Sequence, residues 1–189
     1  DQVGVRDISQ NGNRLRMVGT DGKISSATVS SNYALNNAWT DETFNVKSLD
    51  LSDIDGSNGI SYAVGMNGTI FENRIGNQWA QMPSLSSNDL NAIKFHSSTE
   101  GMIVGDNGTA LQFVSIPTGI SITDVSLANN DDLYTVASNS NVLYVGSEEG
   151  RVYHSASATT VEWNLANNIS SNMINGIEMA SNGSSAIVV

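Results

Sequence analysis

The 189-residue chain has no cysteine. That excludes a disulfide framework, a thiol nucleophile and a cysteine-based zinc site. Charge is also scarce: 14% of residues are Asp, Glu, Lys or Arg, against about a quarter in an average soluble domain. Basic residues are the scarcest, 8 against 19 acidic, so the formal net charge is -11 and the pI is about 4.3. Eight cations cannot line a phosphate stripe, so nucleic acid is not an expected partner, and neither is an anionic membrane surface. No apolar run reaches the roughly 18 residues of a spanning helix, so no membrane insertion by helix is expected. Pro83 and Pro117 are the only prolines. The opening Asp1-Gln2-Val3 carries no basic-then-apolar signal region. It reads as a chain whose signal was removed or as part of something longer.

Asn, Ser, Gly and Thr take the place of charge. Hydrophobic content of 39% argues against disorder. Few charges, many small polar residues and an acidic pI suit an extracytoplasmic protein, whether secreted, periplasmic or on a cell surface.

The chain repeats itself. Val18-Gly19-Thr20-Asp21-Gly22-Lys23-Ile24 matches Val64-Gly65-Met66-Asn67-Gly68-Thr69-Ile70, then Val104-Gly105-Asp106-Asn107-Gly108-Thr109-Ala110, then Val145-Gly146-Ser147-Glu148-Glu149-Gly150-Arg151. The Val-Gly step recurs after 46, 40 and 41 residues, at Gly19, Gly65, Gly105 and Gly146. A tryptophan follows in three repeats, Trp39, Trp79 and Trp163. In the third repeat Ile122 or Val125 is expected in its place. Each Val-Gly ends an alternating strand, each Asn-Gly favours the positive φ angles of a tight hairpin, and a strand resumes at once. A period near 40 with four strands per unit is the pattern of a β-propeller blade. The expected fold is all-β, with four full blades of four antiparallel strands over residues 4–44, 46–82, 90–128 and 133–166, and a partial fifth over 174–189. The expected first strand of blade two is 46–53, and the expected fourth strands are 38–44, 78–82, 121–128 and 161–166.

The strings GMNGTIFE (65–72), GDNGTALQF (105–113) and GSEEGRVYHS (146–155) resemble the repeats of photosystem II assembly-factor-like propellers, which overlap with the BNR, or Asp-box, sialidase-type repeats. The resemblance covers nearly the whole chain and implies a propeller. For function it implies three readings. The first is a non-catalytic binding or scaffold module for a protein or carbohydrate ligand. The second is a fragment of a sialidase-like glycoside hydrolase, and the third an assembly factor for a membrane complex. The Asp-box itself, S-x-D-x-G-x-T-W, is kept only in part: HSASATTVEW (154–163) retains Ser and Trp, and ENRIGNQW (72–79) retains Gly and Trp. A sialidase needs an arginine cluster for its substrate carboxylate. Here Arg14 and Arg16 share a strand face, while Arg6, Arg74 and Arg151 fall at non-equivalent blade positions. His96 and His154, the only histidines, fall on different blades, and packed or solvated roles are expected for both.

Two clusters of acidic residues stand out. In the segment from Asp50 to Gly59, alternating oxygen side chains at Asp53, Asp55 and Ser57 with Gly56 between them suit a calcium loop. The later bidentate glutamate is missing, and the favoured reading is an ordinary Asp/Gly-rich hairpin turn. No other cofactor is expected. In a propeller, the turn between strands two and three shares one rim face with the link to the next blade. That face collects Asp21, Asp41, Glu42, Asp89, Asp106, Asp131, Asp132, Glu148 and Glu149, while Asp53, Asp55 and Glu100 fall opposite. Acidic solvated turns are the plainer account. The functional one is an acidic docking face for a basic partner or cation, centred on Asp21, Asp106, Asp131, Asp132, Glu148 and Glu149. Asn67, Asn107, Asn168 and Asn182 begin Asn-x-Ser/Thr sequons, of which the first two are hairpin turns. The partial blade ends in an apolar strand, Ala186-Ile187-Val188-Val189, so its open edge is expected to pair with the remainder of a larger ring or with a second copy.

Overall fold

The structure, a computed structural model, describes residues 4–32, 34–43, 49–74, 78–139, 141–169, 171–180 and 185–189. The chain divides into two compact units, Asp1–Asp89 and Leu90–Val189. The first holds two antiparallel four-stranded sheets. One runs β1 (Val5–Asn11), β2 (Arg14–Gly19), β3 (Ile24–Thr28), β4 (Thr40–Asp41); the other runs β5 (Leu51–Ser57), β6 (Ile60–Gly65), β7 (Thr69–Asn73), β8 (Trp79–Gln81). The second unit holds β9 (Leu90–Phe95), β10 (Glu100–Gly105), β11 (Ala110–Ile116), β12 (Gly119–Asp124), then β13 (Leu133–Ser138), β14 (Leu143–Ser147), β15 (Arg151–Ser155), β16 (Asn164–Asn168), and last the pair β17 (Ile177–Met179) and β18 (Ala186–Val188). The chain is thus all-β, and its sheets are four blades and a partial one.

The repeat signature has a direct structural cause. Asp21, Asn67 and Asn107 hold φ of 56, 55 and 54°, and the glycine after each holds 65, 70 and 70°. Two successive positive φ values make the tight turn whose twist matches a hairpin. The Val-Gly glycine answers to crowding: a Cβ on Gly65 would lie 2.2 Å from the Asp50 carbonyl oxygen, and one on Gly19 would lie 2.0 Å from that of Gly4. In the first two blades the entering backbone therefore lies against the second strand where only glycine fits. The middle strands of blades two to four carry much of the core, with Leu51, Leu90 and Leu133 of the first strands equally buried. Tyr62, Ile70, Phe71, Met102, Ile103, Leu111, Phe113 and Leu143 are all buried to within 2%.

Several boundaries differ from the sequence reading; the outer strand of blade three runs Gly119–Asp124 rather than 121–128. The calcium-type curl at Asp53, Asp55 and Ser57 is absent, because those residues lie on the extended strand β5. The turn falls after them, where Asn58 (φ 51°) and Gly59 (φ 80°) take the positive φ pair. The expected residues 46–48 of that strand lie outside the described residues. The outer strand of blade four begins at Asn164 rather than 161. Hydroxyls hold the preceding segment in turns: Ser157 Oγ accepts the Thr159 and Thr160 amides at 3.3 and 2.9 Å, and Ser155 Oγ accepts that of Glu162 at 3.0 Å. The outer strand of blade one shrinks to Thr40–Asp41, and the Phe44 at its expected end lies outside the described residues.

Candidate binding site

The acidic rim resolves into residues that are exposed and residues that hold the fold. Asp21, Glu148 and Glu149 are exposed. Asp132 accepts the Asn107 backbone amide at 2.7 Å. The same bond recurs from Asp50 to the Asp21 amide (3.0 Å) and from Asp89 to the Asn67 amide (2.8 Å). In all three, the carboxylate of the residue just before a blade caps the left-handed amide of the preceding hairpin. The sequence held this signal: an aspartate precedes the leucine that opens each of these blades, as Asp50-Leu51, Asp89-Leu90 and Asp132-Leu133. Asp106 accepts a hydrogen bond from Asn91 Nδ2 at 2.8 Å. Burial, with the charges of Asp106, Glu148 and Asp132, pushes the Tyr134 hydroxyl above its ordinary pKa.

Two members are corrected. Asp131 is 9% exposed and bound internally: Arg151 Nη1 donates to both its oxygens at 2.7 Å, and Tyr153 Oη donates to Oδ2 at 2.6 Å. Burial raises its carboxyl, but the bonds from Arg151 and Tyr153 outweigh burial and hold it below the usual carboxylate range. The Glu42 side chain is wholly buried. It accepts from Arg14 Nη1 (3.1 Å), Arg16 Nε (3.3 Å), Ser26 Oγ (2.5 Å) and Trp79 Nε1 (3.1 Å). The arginine pair that a sialidase would turn toward its substrate is thus bound to a carboxylate of the chain itself.

Asp53 Oδ1 accepts the Ile54 amide at 2.9 Å, and Asp55 Oδ1 accepts the Gly56 amide at 2.8 Å and Ser9 Oγ at 3.3 Å. Ser57 closes β5, half-buried. Among the described residues, no three His, Cys, Asp or Glu side chains gather as a metal-holding group. His96 is buried and its Nε2 lacks a hydrogen-bond partner. Burial lowers its pKa, with Glu100 opposing. His154 stacks on Tyr144, ring centroids 6.0 Å apart.

Sequence reasoning missed the feature best suited to a ligand. Between blades three and four, the link after β12 and the outer strands of blade four enclose an open cleft of about 550 Å³, within the size range of small-molecule sites. Asp124, Ser126 and Asn129 line one side; Tyr153, Trp163 and Leu165 line the other. Trp163 Nε1 donates to the Val125 carbonyl at 2.7 Å. Trp79 Nε1 donates instead to a side chain, the carboxylate of Glu42, the residue after β4. Each of these two indoles thus bridges to the residue after the preceding blade's outer strand. Trp79 is 3% exposed, whereas Trp39 is 37% exposed. Val125, one of the two residues expected to stand in for the third tryptophan, packs partly buried on the same core cluster as Trp163. Asn129 Nδ2 donates to Tyr153 Oη at 2.5 Å, which joins the cleft to Asp131 and Arg151.

No family model matches the chain, and no curated protein matches it. Among solved structures it is similar to a computationally designed protein, Ika8, at 14% sequence identity and a TM-score of 0.76 over 100% of this chain. The chain spans 56% of that protein's length. At such low identity the likeness shows the fold alone: repeated antiparallel blades, found in a designed protein as in this chain.

Proposed function

We propose that the chain is a non-catalytic propeller module that works outside the cytoplasm and binds a protein or carbohydrate ligand in the cleft between blades three and four. The observation that carries this reading is the cleft wall: a half-exposed indole locked by its own hydrogen bond, with Leu165 57% exposed beside it and polar Asp124, Ser126 and Asn129 facing them. Ligand sites combine such apolar surface with a few placed polar groups. A locked ring also loses little rotamer freedom on binding. The low charge and acidic pI support the extracytoplasmic setting. The resemblance of the repeats to scaffold and binding propellers supports the module reading.

The test is binding to a combined glycan and peptide array, repeated with Leu165→Arg. That exposed position tolerates substitution while the longer cation fills the cleft. Ligands of the unaltered protein should be lost in the variant at an unchanged melting temperature. Ligands that bind both proteins equally would place recognition elsewhere and end this assignment.

A further inference from the structure

We propose that the cleft takes a neutral sugar, one or two pyranose rings of a glycan, stacked on the Trp163 indole. The inference rests on the binding reading of the cleft and names its ligand class.

Trp163 has spent its only polar atom on the Val125 carbonyl and packs against the core cluster of blades three and four. What it offers a ligand is aromatic surface held in one orientation. That suits the C–H-rich face of a pyranose, whose hydroxyls then point outward to the rim. The rim has the matching groups. Asp124 is exposed, and the Ser126 amide and hydroxyl both bind its Oδ1, at 3.0 and 2.5 Å. Its Oδ2 is left to accept from a hydroxyl. Asn129 is exposed and gives one amide hydrogen to Tyr153 Oη, which leaves the second for a sugar oxygen. A carboxylate and an amide together accept from and donate to adjacent hydroxyls.

Charge then narrows the class. Asp124 lines the cleft, Asp131 lies behind Tyr153, and no Lys or Arg is among the lining residues. The nearby Arg151 is already committed to Asp131. In a chain of net charge -11, a uronic or sialic acid would meet the Asp124 carboxylate with no cation among the lining residues to offset it. A quaternary ammonium would suit the charge but wants several aromatic faces around it; Tyr153 is 6% exposed and leaves the indole alone for that task.

The chain has three tryptophans, so a nitrogen-15 spectrum separates Trp163 from Trp39 and Trp79 by their indole signals. The probes are maltose, cellobiose, lactose and chitobiose, with glucuronic acid and choline as charged comparators and a pool of extended peptides. At least one neutral disaccharide should move the Trp163 signal saturably and leave the other two in place. By calorimetry, Trp163→Phe, which keeps a smaller ring, should weaken that ligand about five-fold, and Leu165→Arg should abolish its binding. The sugar assignment is overturned if no neutral disaccharide moves Trp163, or if only glucuronic acid or choline does. If the peptides move Trp163 and the sugars do not, the sugar class falls and the cleft stands. If nothing moves it, both fall.

Discussion

Glu42 shows how much one side chain can organise. Its buried carboxylate gathers two arginines, a serine and an indole, and Arg16 goes on to donate to Ser61 Oγ and Asn73 Oδ1, both at 3.0 Å. Removing one partner of such a pair leaves the other charged and dry, which costs about 3–5 kcal/mol. Glu42→Ala should therefore lower the urea midpoint by that equivalent. Glu42→Ala with Arg16→Met should recover part of the loss, and a double variant no better than the single would show that the carboxylate acts by packing alone. Trp79 sits on the same network, with the Arg16 guanidinium 5.6 Å from its ring centroid. Trp79→Ala should cost about 3–5 kcal/mol, measured the same way; an unchanged midpoint would break the equivalence of the tryptophans. Asp131 sets a pH dependence. Its folded pKa is depressed by Arg151 and Tyr153, so its contribution is present above the unfolded aspartate value of about 3.9 and is lost as pH falls below it. Asp131→Asn should flatten the acid limb of the stability curve below about pH 4 and leave the neutral region flat. An acid limb unchanged by the substitution would assign it to other carboxylates.

At the scale of the hairpin and the strand, the turns of the first three blades are held from two sides: by their own left-handed residues and by an aspartate from the next link. A charge-assisted bond of this kind contributes about 1.5–3 kcal/mol. Asp132→Ala should cost that much by thermal unfolding, while Glu148→Ala, on the exposed side of the same rim, should stay within about 0.5 kcal/mol. Equal effects would mean that the rim acts through its summed charge. This contrast also shows what was legible in the sequence. Val-Gly followed by Asn-Gly names the second and third strands because both glycines answer to backbone geometry, which is local. Leu133–Ser138 was likewise readable to the residue, since its alternation is bounded by turn residues on both sides. Outer strands were less so, because a blade edge needs few ladder bonds and side-chain hydroxyls can displace them, as Ser155 and Ser157 do before β16. Asp53 and Asp55 read as a loop because Asp and Gly favour turns, but Asn58-Gly59 takes the turn, starting three residues after Asp55. The roles of Glu42, Asp131 and the cleft were hidden for one reason: each depends on side chains from neighbouring blades, 20 to 38 residues apart.

At the scale of the molecule, one sheet breaks the pattern. Four sheets have four strands, and β17 with β18 has two. Among the described residues β18 pairs with β17 alone, so its other side presents backbone donors and acceptors. The side chains there are apolar: Ile187 is 71% exposed and Val189 72%. No lysine or proline lies on the strand to discourage pairing, which are the usual protections of an edge. The chain's net charge of -11 opposes association at a distance, and salt screens that repulsion while leaving the short-range edge bonds intact. Self-association of the 189-residue chain should therefore rise with added salt. It should fall in Ile187→Lys, which puts a cation on the exposed side of β18 without touching the buried Ile177 of its partner strand. Sedimentation velocity at low and high salt on both proteins decides the matter. A chain that stays monomeric at high salt would show that β18 is not a pairing edge, and the two-stranded sheet would then be a complete element despite its departure from the repeat.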